Sequence, residues 1–183
     1  MADVNVRAAT AADAAAICVI YNQGIEDRLA TLETELRTPD ERREWLAARG
    51  PRHPVIVAVA EPGTFSNRPP TSRAEHAPPA PAIIGWASLN RFNPRPAYDH
   101  VADISVYVER AWRGRGVGRR LIEALVTLGR EHAYHKLVLA AFPFNAAGMA
   151  LYERAGFRVV GVYREQGRLD GTWVDVMVME RLL

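Results

Sequence analysis

The chain has 183 residues, 49% of them hydrophobic and 24% charged, which are ordinary proportions for one globular domain. The formal net charge of +2 is too small to indicate nucleic-acid binding, no apolar run is long enough to span a membrane, and the single cysteine, Cys18, excludes an internal disulfide. We therefore expect one soluble, cytoplasmic domain over residues 1–183, with Cys18 as a buried thiol and with neither nucleic acid nor a membrane as a partner.

The first half of the chain predicts three strands and two helices. Residues 4–8 alternate between apolar and polar side chains, as a strand does. A capping pattern that begins at Thr10 predicts a helix over residues 11–24. Thr38-Pro39, followed by two acidic residues, predicts a second helix that ends near Ala48. Content of β-branched residues predicts the next strands at 55–61 and 83–90.

Residues 62–81 separate these last two strands and are rich in Pro, Ser, Thr, Arg and Ala. This composition buries too little apolar surface to order itself firmly, and a connection of this length between two strands is unusual. We interpret the segment as a mobile surface insertion within the single domain.

The second half of the chain predicts four strands and two helices. The strands are expected at 101–108, 136–141, 157–163 and 173–183, and the helices at 116–133 and 145–155. The order of the elements mixes parallel and antiparallel pairing, so that neither a pure sandwich nor a doubly wound sheet fits.

A glycine-rich loop lies between the strand at 101–108 and the helix that follows. Unpaired N–H groups at the start of a helix attract anions, and glycines let the backbone approach a phosphate. The sequence lacks the Gly-Lys-Ser/Thr of a P-loop and the G-x-G-x-x-G order of a dinucleotide fold. The loop therefore indicates a site for a pyrophosphate ligand; the alternative is a basic turn without a ligand. It consists of Arg113, Gly114, Arg115, Gly116, Val117 and Gly118.

The R-x-x-G-x-G spacing of this loop resembles the acetyl-CoA pyrophosphate loop of the GNAT acetyltransferases. The segment Val106-Tyr107-Val108 precedes the loop, and Asn145, Tyr152 and Ala155-Gly156-Phe157 follow it in register with that family. The resemblance covers the chain except for residues 62–81. It implies an α/β fold of the α+β kind, with a central mixed and twisted sheet, two splayed parallel strands and flanking helices. It also implies acetyl-CoA as cosubstrate.

Within the superfamily, the chain looks most like the phosphinothricin and arsinothricin N-acetyltransferases. Two departures stand out: relatives usually have Glu where this chain has Asp103, and the phosphinothricin enzymes tend to have His where it has Tyr152. The segments that carry the resemblance are residues 21–28, 31–34, 95–98, 103–108, 142–145 and 168–176.

The resemblance implies the catalytic residues. Asp103 lies where the family has its general base, and acts on the acceptor ammonium directly or through a water; alternatively, it only orients that group. Tyr152 would place a phenol near the thioester sulfur, or would be a core tyrosine. Asn145 would hold the pantetheine arm, cap a helix, or do both. The backbone of Val106, Tyr107 and Val108 would pair with the pantetheine amides, as an added strand does.

On the acceptor side, a guanidinium can grip an oxyanion with two parallel hydrogen bonds. Arg95, between two prolines, is the first candidate, with Tyr98 as its helper. Arg28 is a weaker candidate. Leu32 occupies a position that is aromatic in the phosphinothricin relatives and is expected to line the pocket. The histidines show no metal-ligand pattern, and we predict no metal.

Together these features predict acetyl transfer to the α-amino group of a phosphinothricin- or arsinothricin-type amino acid, an activity that confers herbicide or antibiotic resistance. Methionine sulfoximine or sulfone and other small amines are alternative acceptors. Polyamines, antibiotics and protein N-termini would call for an acidic pocket, and a non-catalytic acyl-CoA-binding module also remains open. Relatives pair as homodimers, and the polar turn from Arg168 to Trp173 is suited to reaching a second subunit.

Overall fold

The computed structural model describes residues 4–60 and 82–183, so the insertion predicted at 62–81 lies outside the described residues. Within these ranges, seven strands form one sheet in the order β1-β2-β3-β4-β5-β7-β6. The strands are β1 (Val4–Ala8), β2 (Val55–Ala60), β3 (Ala82–Arg91), β4 (Val101–Val108), β5 (Lys136–Ala141), β6 (Arg158–Leu169) and β7 (Thr172–Leu182). The helices are α1 (Ala14–Glu26), α2 (Pro39–Ala47), α3 (Val117–Glu131) and α4 (Ala146–Arg154).

The sheet is mixed and its central strands splay, which confirms the predicted fold class. Every neighbouring pair is antiparallel except β4 and β5. These two strands pair in parallel over three positions only, from Val101 opposite Lys136 to Asp103 opposite Val138. The rest of β4 continues without β5, and Asp103 is therefore the last residue before the gap opens.

Two predicted boundaries differ from the structure by more than two residues. Residues 11–13 form a 3₁₀ turn and α1 begins at Ala14, because the Asp13 carboxylate accepts a hydrogen bond from the backbone of Thr10 and pairs with Arg7. β6 continues to Leu169 rather than ending at Tyr163, since a shift in the pairing of β6 with β7 between Tyr163 and Gly167 lets the strand resume after its polar stretch.

Each face of the sheet carries its own core. The amphipathic helix α3 buries Leu121, Ile122 and Leu125 against one face, where Ala102 and Ile104 of β4 also lie. On the other face, Ile17 and Ile25 of α1 pack near Trp86 of β3, with Tyr107 of β4 against them. Because side chains alternate along a strand, Asp103 and Ser105 share the second face with Tyr107.

Cys18 is buried, as predicted, and its thiol donates a hydrogen bond to the carbonyl of Arg37. None of the helices in residues 4–60 and 82–183 is long and apolar enough to cross a membrane.

Candidate active site

A cleft of about 1100 Å³ opens where β4 and β5 diverge. The free end of β4, the glycine loop, the start of α3 and the exposed side of α4 form its walls. Among its lining residues are Val106, Tyr107, Val108, Arg113, Gly114, Gly116, Gly118, Asn145 and Tyr152, all of which the sequence indicated as cofactor-binding.

Local backbone geometry explains the glycines of the loop. Gly114 and Gly116 have φ of +73° and +87°, which L-amino acids with a side chain rarely adopt, and Gly116 directly precedes α3. A Cβ on Gly118 would lie 2.8 Å from a methyl carbon of Leu151 on α4. The loop therefore turns its main chain toward the cleft at the positively polarised start of a helix, as an anion site requires.

The remaining loop residues have different surroundings. Val117 is 1% exposed and its side chain lies in the core, so only its backbone is available to a ligand. Arg115 does not line the cleft, and its guanidinium lies 5.6 Å from the ring centroid of Trp112. Arg113 is paired with Asp27, at 2.6 Å, just after α1. Asp27 also accepts from Arg110, and these hydrogen bonds hold the pKa of Asp27 below its ordinary value.

Asn145 caps α4, as one of the two sequence interpretations required. Its side-chain oxygen accepts a hydrogen bond from the backbone of Gly148 at 3.0 Å, and its amide nitrogen donates to the carbonyl of Leu29 at 3.2 Å. On the same helix, Tyr152 lies edge-on to Phe157, with the ring centroids 6.1 Å apart. Burial, and then the charge of Asp103, raise the pKa of Tyr152 to about 12. The phenol is therefore protonated at neutral pH and able to donate.

Asp103 lies at the point where the splay begins. Burial raises the pKa of this carboxyl to about 6, although a hydrogen bond of 3.2 Å from the side-chain amide of Asn90 opposes the shift. At neutral pH, Asp103 is therefore mostly a carboxylate whose affinity for a proton is higher than usual, as a general base requires.

Asn90 is held so that its nitrogen faces Asp103. The side-chain oxygen of Asn90 accepts hydrogen bonds of 2.9 Å from Arg49 and from Ser88. Its nitrogen donates to Asp103 and to the hydroxyl of Ser105, at 3.0 Å. Sequence reasoning missed this network, because two strands and the residue Arg49 come together only in the fold.

A second cavity, of about 390 Å³, lies beside β3 and β4 on the face of the sheet that packs against α1. Tyr107 lines both this cavity and the cleft. Asp103 accepts a hydrogen bond from Asn90, which lines the second cavity. The charge of Asp103 also raises the pKa of Tyr152, which lines the cleft. Asp103 therefore lies between the two cavities. The second cavity is lined by Tyr21, Glu33, Arg37, Glu41, Arg42, Trp45, Trp86, Asn90, Ser105 and Tyr107.

The residues predicted to bind the acceptor line neither cavity. Arg95 is exposed just before a 3₁₀ turn, and the ring of Tyr98 lies 5.6 Å from that of Phe92. Arg28 pairs with Asp170 at 3.0 Å. Leu32 is half-exposed and packs against Gly167 on β6. The prediction that these four residues contact the acceptor therefore stays a prediction.

Within residues 4–60 and 82–183, no group of three or more His, Cys, Asp or Glu side chains could hold a metal ion.

Comparisons with known proteins agree with this geometry. The model of the acetyltransferase (GNAT) family matches residues 29–157. The chain is 32% identical to a phosphinothricin N-acetyltransferase of Streptomyces coelicolor, over 100% of this chain and 98% of that one. It is 28% identical to an L-methionine sulfoximine/L-methionine sulfone acetyltransferase of Pseudomonas paraeruginosa, over 96% and 92%. A crystal structure of a phosphinothricin acetyltransferase from Sinorhizobium meliloti with AcCoA matches with a TM-score of 0.84 and 25% identity, over 98% of this chain and 88% of that one.

Proposed function

Because this chain belongs to the acetyltransferase (GNAT) family and is an acetyl-CoA-dependent N-acetyltransferase, we propose that its acceptor is the α-amino group of a small amino acid with an oxyanionic or tetrahedral side chain. Phosphinothricin, arsinothricin and methionine sulfoximine or sulfone are the acceptors to be tested. The names of full-length relatives at about 30% identity support the first and the last of these. Acetylation of such compounds in the cytoplasm would give resistance to them.

The observation that carries the proposed chemistry is the position of Asp103. An amine is protonated at neutral pH, and only the free amine attacks a thioester. We assign to Asp103 the removal of a proton from the acceptor ammonium, directly or through a water, since its pKa of about 6 suits this role. Asn90 orients the carboxylate and is a positioning residue.

Tyr152 is proposed as the proton donor of the second half of the reaction. The amine nitrogen forms a bond to the acetyl carbonyl carbon, and the carbon–sulfur bond breaks. Tyr152 gives a proton to the departing thiolate and recovers the second proton that the nitrogen loses as the amide forms. The net products are the N-acetyl amino acid, a free thiol and the one proton held by Asp103. A phenol with a pKa of about 12 remains protonated until the thiolate departs.

Arg95 and Tyr98 are proposed to reach the side-chain oxyanion from outside the second cavity. Both lie in the connection between β3 and β4, next to the strand ends that carry Asn90 and Asp103. Arg28 and Leu32 are weaker proposals, because both already contact the hairpin of β6 and β7. Arg28 pairs with Asp170, and Leu32 packs against Gly167.

An acceptor panel tests the proposed function. Purified protein with acetyl-CoA is given phosphinothricin, arsinothricin, methionine sulfone, glycine, lysine or spermidine, and free thiol is measured over time. We expect the oxyanionic and sulfone amino acids to have the highest kcat/KM. If spermidine or plain amino acids are better acceptors, the proposed acceptor class is wrong, while the acetyltransferase assignment is unaffected.

We also propose that the protein forms a homodimer. The exposed side chains of Val160, Tyr163 and Trp173 make the outer surface of the β6–β7 hairpin partly apolar, which supports a contact there. Sedimentation velocity at micromolar concentration tests this, and a monomer would contradict it.

A further inference from the structure

The second cavity is lined by a buried arginine that forms no ion pair with a residue of 4–60 or 82–183. Arg42 is the only residue of α2 that is buried, at 8% exposure. Within residues 4–60 and 82–183, its Nε has no hydrogen-bond partner. Its guanidinium instead lies over the ring of Tyr21, 3.7 Å from the centroid, and 5.2 Å from that of Trp45. Aromatic faces stabilise a cation without neutralising it.

Trp86, which also lines this cavity, has an unsatisfied polar atom as well. The indole nitrogen of Trp86 is buried, in a residue that is 1% exposed, and has no hydrogen-bond partner in the described part of the chain. Both atoms are donors, so the same kind of group, an anionic acceptor of hydrogen bonds, would satisfy them. Buried donors left unpaired are rare in folded proteins and costly.

The acidic groups of the cavity are already engaged. Glu33 accepts from Arg37 at 2.8 Å. Burial raises the pKa of Glu33, but hydrogen bonds from Arg37 and Tyr21 outweigh it, so the pKa lies below its ordinary value. Glu41 accepts from the backbone of Thr38 at 2.6 Å, in the cap of α2, and hydrogen bonds from Thr38 lower its pKa. The charge of Arg42 also helps to lower the pKa of Glu33, but in the described part of the chain Arg42 forms no ion pair, because Glu33 is already hydrogen-bonded to Arg37.

We propose that the second cavity is the acceptor site and that Arg42 binds the α-carboxylate of a free amino acid there. This inference rests on the proposed function and adds where the acceptor lies and which group anchors it. The volume of about 390 Å³ lies within the usual range for small-ligand pockets. A carboxylate on Arg42 matches the planar fork of the guanidinium and would form a direct ion pair with it.

The second cavity reaches the proposed base, Asp103, through a hydrogen-bonded neighbour. Asn90 and Ser105 line the cavity, and the Asn90 amide nitrogen lies 3.2 Å from the Asp103 carboxylate. An amino acid anchored by its carboxylate on α2 can therefore direct its amino group toward Asp103, beside Tyr107, which also faces the cofactor cleft. Amines that have no α-carboxylate, such as spermidine or the N-terminus of a protein, do not form this ion pair and are expected to be poorer acceptors.

The test compares two acceptors in four proteins. The acceptors are L-phosphinothricin and its α-carboxamide. The proteins are the wild type, Arg42→Met, Arg42→Lys and the matched control Arg43→Met, which removes the neighbouring and exposed arginine of the same helix. We expect Arg42→Met to raise the KM for phosphinothricin about ten- to a hundredfold, with little change for the carboxamide or for acetyl-CoA. Arg42→Lys has a smaller effect because it keeps the charge without the fork, and Arg43→Met leaves all three values unchanged.

Binding without turnover separates failure of this inference from failure of the proposed function. Trp45 and Trp86 line the cavity, so phosphinothricin alone should change tryptophan fluorescence saturably in the wild type and in Arg43→Met but not in Arg42→Met. If the wild type acetylates neither compound, the proposed acceptor is wrong and this titration decides the inference. Equal KM increases for acid and carboxamide, or a titration that Arg42→Met does not alter, would overturn the carboxylate site. Unfolding midpoints of all four proteins control for loss of structure.

Discussion

The cleft and the second cavity share Tyr107 but differ in the groups that line them. The first cleft, which we propose binds acetyl-CoA, is lined by a strand end, a helix start and glycines, three of which have positive φ, and also by side chains such as Arg119 and Tyr152. The second cavity is lined by side chains that come from α1, α2, β3, β4 and the segment before α2. A ligand in the cleft therefore meets the main chain of the glycine loop together with side chains, whereas a ligand in the second cavity meets mainly arginine, carboxylate, amide and aromatic side chains.

This difference predicts that the two cavities respond separately to substitution. Main-chain donors keep the same chemistry whatever the neighbouring side chains are, so the cleft suits the constant cosubstrate. A pocket made of side chains changes its preference with single substitutions, and so suits an acceptor that varies between related enzymes. Asp103 lies between the two cavities and is the proposed base of the reaction.

The largest expected effect on activity comes from replacing Asp103, which lies between the two cavities. Asp103→Asn should lower kcat/KM by about 10²- to 10⁴-fold, with the acetyl-CoA affinity nearly unchanged, because the base is lost while both cavities remain. In the wild type, activity should fall as the pH drops below about 6, where Asp103 becomes protonated, and this acidic limb should disappear in the variant. A variant that keeps most of its turnover would show that another group takes the proton.

Stability supplies the control for this variant. The pKa of Asp103 is about 6 in the fold against an ordinary value of 3.8, so protonation favours the folded state. The contribution of Asp103 is therefore most favourable below about pH 4 and is lost as the pH rises through 6. At pH 7 the wild type buries a charged carboxylate, whereas the variant buries an uncharged amide. We therefore expect Asp103→Asn to unfold at the same temperature as the wild type or at a higher one.

A glycine substitution in the cleft should affect the cosubstrate alone. Gly116→Val forces a branched side chain into a left-handed conformation next to the start of α3, and a backbone rearrangement worth about 1–3 kcal/mol should weaken acetyl-CoA binding up to about a hundredfold. Gly171→Val, in the turn between β6 and β7, has a similar φ of +84° and serves as the control, since it strains the backbone away from the cleft. Unchanged affinity in Gly116→Val, measured by calorimetry, would contradict the pyrophosphate site.

The smallest expected effect is outside both cavities. Arg95→Lys should raise the KM for phosphinothricin about tenfold, because lysine lacks the second parallel hydrogen bond to an oxyanion. The KM for acetyl-CoA and for methionine, which has no side-chain oxyanion, should barely change. Steady-state kinetics with both acceptors would show whether the acceptor extends beyond the second cavity. A KM for phosphinothricin equal to that of the wild type would restrict recognition to the cavity.

Much of the cofactor side could be predicted from the sequence. The strands at 101–108 and 136–141, the helices beside them and the glycine loop all lie within a residue or two of their predicted positions. This part of the site depends on local properties: hydrophobic alternation, glycines at the two positive-φ positions of the loop, and a helix that starts directly after the loop. Such properties are encoded by neighbouring residues and need no knowledge of the rest of the chain.

The second cavity could not be predicted in this way. The pattern Thr38-Pro39 fixes where α2 begins, but an arginine at its fourth position looks the same in sequence whether it faces solvent or the core. Arg42 forms no ion pair with Glu33 because the Glu33 carboxylate is hydrogen-bonded to Arg37. The Arg42 guanidinium lies instead against the rings of Tyr21 and Trp45. Asn90 likewise faces Asp103 only because Arg49 and Ser88 occupy its oxygen.

The sequence by itself therefore determined the order of the elements and the position of the glycine-rich loop, and its resemblance to the family indicated Asp103 as the candidate base. The tertiary structure decided that Asp103 is the last paired residue before β4 and β5 diverge, and that its burial raises its pKa. It also decided that the buried cation of the second cavity is Arg42, while Arg95 is exposed. The physical reason is that burial and the pairing of charges depend on residues far apart in the chain, whereas turns and caps depend on residues close to one another.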